Sequence, residues 1–133
     1  MIYGNKYSYS VNYWALKLEL IKELTMLHSR LPIDTDIILH YGVEGEHSKN
    51  SFHYTGMAVD LHFERYKQLI KTTELFEFLV KEWIGGIGVY PHWNAPGFHL
   101  DIGPVGRMWY QNEKGKYLAI SDYIQQFMNK EVI

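Results

Sequence analysis

Two short stretches constrain this chain more than anything else in it. Residues 57–63 and 97–102 both alternate, apolar on one side and histidine or carboxylate on the other. In the first, Met57, Val59, Leu61 and Phe63 share a face, and Ala58, Asp60 and His62 take the other. In the second, Phe98, Leu100 and Ile102 share a face opposite His99 and Asp101. A period of two belongs to a half-buried strand. If the two strands share a sheet, Asp60, His62, His99 and Asp101 project from one surface. Such a surface is either a site or the solvated side of an antiparallel sheet.

The flanking pattern predicts the rest. A helix is expected from Asn12 to Arg30, with Trp14, Leu18, Ile21, Leu24 and Leu27 as its apolar stripe. Ser10 or Asn12 is its candidate cap, and Pro32 its stop. Asp36 to Tyr41 reads as a strand and 42–51 as a polar loop. A second helix is expected from Tyr66 to Trp83, on Leu69, Thr73, Phe76, Val80 and Trp83, stopped by Gly85 and Gly86. Ile87 to Tyr90 reads as a strand, and Ser121 caps a last helix running to about Lys130. Helices and short strands in this order, without regular strand–helix–strand alternation, predict an α+β fold: a small, mostly antiparallel sheet flanked by helices.

Composition narrows the function classes. A chain of 133 residues that is 47% hydrophobic can build a core, and one domain over 1–133 is expected. Thirteen basic against fifteen acidic residues leave a net charge of −2, so nucleic acid is not an expected partner. No run approaches the roughly 20 apolar residues of a membrane span. There is no cysteine, so any metal must be held by His and carboxylates. A monomer is expected.

His53 lies seven residues before Asp60, which in one regular strand would put the two on opposite faces. Gly56 permits a turn between them, letting His53 lean back over Asp60. His53, Asp60 and His99 would then offer two imidazoles and one carboxylate, the ligand set of a catalytic zinc site with a fourth position for water. The alternative is that His53 and Asp60 simply pair.

Ser51, His53, Gly56, Ala58 and Asp60, then His99, Asp101 and Gly103, then Arg107 and Trp109, resemble in order and spacing the zinc D-alanyl-D-alanine carboxypeptidases. These group with lysostaphin-type peptidases and the hedgehog signalling domain. The stretch from Gly86 to Pro91 is similar to the glycine-rich strand before the last ligand in many members. The resemblance implies zinc on His53, Asp60 and His99. It also implies hydrolysis of peptide bonds in bacterial cell-wall peptidoglycan stems, as a carboxypeptidase or as a phage-lysin-like endopeptidase. The alternative it leaves is a catalytically impaired zinc-binding module of the same fold. The amino terminus lacks the basic start and apolar run of a signal peptide, which leaves two expectations: a chain that is cytoplasmic until released, as a phage lysin is, or one exported by other means.

The chain departs from that family where many members carry a Glu or His just before the last ligand, for here stand Pro96 and Gly97. The Arg many members carry in the strand before the first ligand is also missing, since that strand reads Leu39-His40-Tyr41-Gly42. Asp101 is therefore the candidate base, or else a partner that orients His99 or pairs with Arg107. His92 is a second candidate base, or an exposed loop residue without a role. Arg107 is the candidate for holding a substrate carboxylate, or a tie for its own loop. His62 touches a ligand or fills the polar face. Trp93 and Trp109 could wall a cleft, with Trp109 expected in the core. His28, His40 and His47 are assigned no role.

Overall fold

The computed structural model describes residues 2–3, 11–44, 47 and 50–128. Its eight strands are β1 (Ile2–Tyr3), β2 (Thr35–Tyr41), β3 (Ala58–Arg65), β4 (Gln68–Leu69), β5 (Ile87–Tyr90), β6 (Gly97–Asp101), β7 (Met108–Gln111) and β8 (Tyr117–Ala119). They form one sheet in the order β1-β2-β3-β6-β5-β7-β8, with β4 a short hairpin partner of β3. Two pairings, β1 with β2 and β5 with β7, are parallel and the others antiparallel. The α+β expectation holds, with the sheet mixed at two joints.

One face of the sheet is apolar and covered. Ile37, Leu39, Val59, Leu61, Phe63, Val89, Phe98 and Leu100 pack with residues of α1 (Leu18–Arg30) and α2 (Thr72–Glu82) in a continuous core. Both alternating stretches turn their apolar side to it.

The helices differ from expectation in phase and extent. Residues 13–15 make a separate 3-10 turn capped by the Asn12 side chain, which accepts from the Trp14 N–H at 3.1 Å. Leu16 and Lys17 are then extended, and Lys17 N–H donates to the Gly56 carbonyl at 2.8 Å, so α1 starts only at Leu18. Its buried stripe is Leu20, Leu24 and Leu27, whereas Trp14 is 97% exposed. In α2 the buried positions are Thr72, Leu75, Phe76 and Leu79; of the expected stripe Phe76 and Trp83 are buried, whereas Leu69 and Val80 are exposed. The helix begins late because Tyr66 and Lys67 adopt positive φ in the turn between β3 and β4. The last helix, α3 (Ile120–Tyr123), starts one residue before Ser121 and continues as a π turn, Ile124–Met128. The candidate cap Ser10 and the expected end at Lys130 lie outside the described residues.

Candidate metal centre

Sheet register places one row of residues across the face opposite the helices. Tyr41 pairs with Asp60, Asp60 with His99, His99 with Gly88, and Gly88 with Trp109. Asp60 and His99 are therefore direct cross-strand neighbours. Gly88 completes the row because a Cβ there would lie 2.6 Å from the Trp109 indole. With no side chain in the way, the indole leans over His99, its ring 4.9 Å from the imidazole. Trp109 thus lines the cleft, contrary to its expected core position.

His53 reaches this row from outside the sheet. It sits in the 3-10 turn Phe52–Thr55, where the Ser51 hydroxyl accepts from the His53 N–H at 3.1 Å. Gly56 ends the turn at φ 73°, and a Cβ there would lie 2.3 Å from the Ala15 carbonyl oxygen. Only glycine suits both demands. The chain then reverses into β3, and His53 lies back over Asp60, as its spacing with Gly56 predicts.

The three side chains meet at one point. Asp60 Oδ1 is 3.2 Å from His53 Nε2 and 3.3 Å from His99 Nδ1. The two ring nitrogens are 3.1 Å apart. The outer nitrogens are also engaged: His53 Nδ1 donates to the Gly42 carbonyl at 2.8 Å, and His99 Nε2 donates to Asp101 Oδ2 at 2.8 Å. With a proton on each outer nitrogen, both neutral rings turn a lone pair toward the Asp60 carboxylate. Three acceptors converge with no donor among them, so the point requires a positive charge. In a tetrahedral zinc site with Zn–N near 2.05 Å, ligand atoms stand about 3.3 Å apart, and the separations here match. The donor set fits a divalent metal.

Titration follows the same logic in the metal-free protein. Without metal, burial pushes the Asp60 carboxyl up, but a proton taken up between it and the rings lets hydrogen bonds from His53 and His99 outweigh that and hold it at about 2. Burial works against charge on His99, yet its bonds to Asp101 and Asp60 raise its pKa above the usual histidine value. A proton on His99 supplies the positive charge that a metal would replace.

Asp101 is fully buried beneath His99. Its Oδ1 accepts from the Gly86 and Gly103 N–H groups at 3.1 and 2.9 Å and from Arg107 Nη2. Burial alone would raise its carboxyl pKa, but these bonds and the one from His99 pull it below the usual range. Its two oxygens are thus engaged by His99, Gly86, Gly103 and Arg107, the contacts of a partner that orients an imidazole. Arg107 is committed to Asp101 and spreads its guanidinium 5.0 Å over the Phe52 ring. It lines a smaller hollow of about 430 Å³ behind the row, with Ser51, His99 and Trp109. His92 is not brought to the group: it stands 3.7 Å from Glu113, and its ring lies near Tyr110 and Phe127.

The converging groups form the floor of a cleft of about 890 Å³, walled by Tyr41, Tyr90, Trp93, Trp109 and Tyr117. Two histidines without an expected role line it as well. His47 lies flat on His53, rings 3.7 Å apart and 8° from parallel. One ligand atom each from His47, His53 and Asp60 fall within 4.8 Å of one another, so His47 adjoins the same point. His99 sits nearer to Asp60 than that limit. His47 also has a competing partner, the Glu44 carbonyl, which its Nε2 meets at 2.5 Å. Burial and the neighbouring His53 lower the His47 pKa. His40 enters through a bulge between Leu39 and Tyr41, where two residues oppose the single Asp60. Burial, then His62, hold its pKa down to about 4. The polar loop from 42 gave no spacing signal for His47, and the bulge at His40 was equally illegible in sequence.

Two imidazoles and a carboxylate converge in an open cleft on the sheet floor, a donor set that fits a metal-dependent hydrolase. A family profile described as peptidoglycan L,D-endopeptidase MepK, of the M15 type, matches residues 16–109, and the chain belongs to this metallopeptidase family. No curated protein and no solved structure matches the chain.

Proposed function

We propose that the chain is a zinc-dependent endopeptidase of peptidoglycan stem peptides, with His53, Asp60 and His99 as the metal ligands. The observation that carries this reading is the convergence of three lone-pair donors within 3.3 Å of one another, with both outer imidazole nitrogens already tied. Bound there, zinc supplies a Lewis acid for the scissile carbonyl and activates water near neutral pH. The chain's own residues do the rest. Gly42 and Asp101 hold the two imidazoles in the ligating tautomer. His47, stacked on His53 at the cleft surface, is the group placed to take a proton from water and pass it to the leaving amine. The aromatic wall and the neutral Asn94 and Gln111 amides suit the interior of a peptide chain, which supports endo cleavage over carboxypeptidase action.

The test is metal analysis joined to digestion of cross-linked muropeptides. About one zinc per chain and conversion of dimeric muropeptides to monomers are expected. His53→Ala, Asp60→Ala and His99→Ala should each lose metal and cleavage together. Release of one terminal D-amino acid without loss of cross-links would replace the endo reading by the carboxypeptidase one. Stem binding without any cleavage would favour the binding-module reading.

A further inference from the structure

His47 belongs to no helix or strand, so something other than secondary structure must hold its ring at the metal row. The Tyr54 hydroxyl meets both of its peptide groups. It accepts from the His47 N–H at 2.8 Å and donates to the His47 carbonyl at 3.1 Å. A phenol hydroxyl carries one proton and two lone pairs, so both bonds form at once. The two rings also meet edge to face, 5.5 Å apart and 72° between planes. Tyr54 directly follows His53 in the 3-10 turn Phe52–Thr55. One turn therefore places a metal ligand with one residue and clamps His47 with the next.

The clamp holds a particular pose. His47 lies on His53 with rings 3.7 Å apart and 8° from parallel, and the Tyr41 ring stands edge-on at 6.4 Å. The lone pair of an imidazole nitrogen lies in the ring plane. Two rings stacked face to face therefore cannot both aim at one ion, and His47 stands beside the point that His53 faces rather than on it. A carbonyl only accepts, so the Glu44 carbonyl fixes the proton of neutral His47 on Nε2 and leaves Nδ1 to take another. The ring is one step outside the ligand set, in a tautomer suited to a base.

We propose that Tyr54 is a positioning residue for the proton transfer: its hydroxyl, bonded to both peptide groups of His47, holds that imidazole stacked on His53 and beside the metal point. This rests on the reading of His47 as the base. Tyr54 acts through His47 and touches neither metal nor substrate in this role.

Tyr54→Phe removes both bonds and keeps the ring. Hydrogen exchange followed by NMR, on the zinc-loaded full chain, should find the His47 amide protected and exchanging about tenfold faster in Tyr54→Phe, the scale of one hydrogen bond. An unprotected His47 amide in the unmutated protein overturns the proposal, even where the variant fails to fold. Metal analysis should find zinc retained in both Tyr54→Phe and His47→Ala. Loss of zinc from His47→Ala would make His47 a ligand and overturn the proposal as well. In cleavage of dimeric muropeptides, Tyr54→Phe should lower kcat about tenfold with KM unchanged, and should cost nothing further in a His47→Ala background. An equal loss in both backgrounds overturns the proposal, because Tyr54 would then act on the turn itself and not through His47. An unmutated protein that binds zinc but cleaves no muropeptide overturns the functional reading and the role of Tyr54 with it. Cleavage indifferent to Tyr54→Phe removes only the present proposal.

Discussion

At the scale of single residues, the site is a set of tautomers chosen by buried partners. Asp101 is the clearest case. Its oxygens are filled by His99, two backbone N–H groups and Arg107, which supports a role exerted through the ring it holds. Asp101→Asn should therefore weaken zinc affinity about 10- to 100-fold, the usual effect of losing an outer-shell partner. Competition with a chromophoric chelator would measure this. Full affinity with a large loss of cleavage would instead make Asp101 the base. His40 gives a pH prediction whose sign is set by its environment. Its pKa is pushed down from the ordinary histidine value of 6.5 to about 4, by burial first and His62 second, with Asp60 opposing. The unfolded chain takes up the proton first. The contribution of His40 to stability is thus intact above pH 6.5 and is lost as pH falls through 6.5 toward 4. Relative to His40→Phe, the metal-free protein should lose on the order of 3 kcal/mol over that window, since each pKa unit corresponds to about 1.4 kcal/mol. Denaturant melts of both proteins in chelator, at pH 7.5 and pH 4.5, would show it; parallel curves would contradict it.

At the scale of elements, burial and not periodicity decided the phase of the helices. Around α1 there are more apolar residues than one stripe can hold, and Leu18 and Leu20 cannot both face the sheet. The extended Leu16–Lys17 link, tied to Gly56, rotates the helix so that Leu20, Leu24 and Leu27 point inward. Leu20→Ala should cost about 2–5 kcal/mol, as large-to-small changes in a packed core do. Trp14→Ala, despite removing a larger side chain, should stay within about 0.5 kcal/mol because the ring is solvated. Thermal melts of the two variants would settle the phase, and the reverse order would restore the stripe through Trp14. The same Lys17–Gly56 contact joins the start of α1 to the turn that carries His53, linking helix placement to the metal row.

At the scale of the whole molecule, one sheet separates two tasks. Its covered face packs α1 and α2 into a continuous core, and its other face carries the row from Tyr41 to Trp109. Among the described residues no helix is long and apolar enough to cross a membrane. Because three lone pairs meet without a donor, metal should stabilise the folded protein as a whole. Zinc at about 100 times its Kd adds roughly 2.7 kcal/mol, which at this chain length raises Tm by about 10 °C. His99→Ala should show no such rise. Scanning calorimetry with and without zinc checks both, and an equal shift in the two proteins would place the metal elsewhere.

What the sequence determined by itself was whatever short-range periodicity and spacing encode. The two-residue alternation of 57–63 and 97–102 assigned both strands and their faces. Gly56 between His53 and Asp60 announced the turn, and the ordered run from Ser51 to Trp109 indicated the family. Local patterns of this kind survive in sequence because the backbone repeat carries them. The tertiary structure alone decided the rest. Strands β1, β4, β7 and β8 are short, and β1 and β7 pair in parallel with residues far away, so their local sequence holds little of the pairing. His40 and His47 gained their places from a bulge and an irregular loop, which have no period to read. Asp101 lies beneath His99 rather than beside it because Gly86, Gly103 and Arg107 close around its carboxylate. Those contacts join separate segments of chain, and only the folded molecule brings them within hydrogen-bond reach.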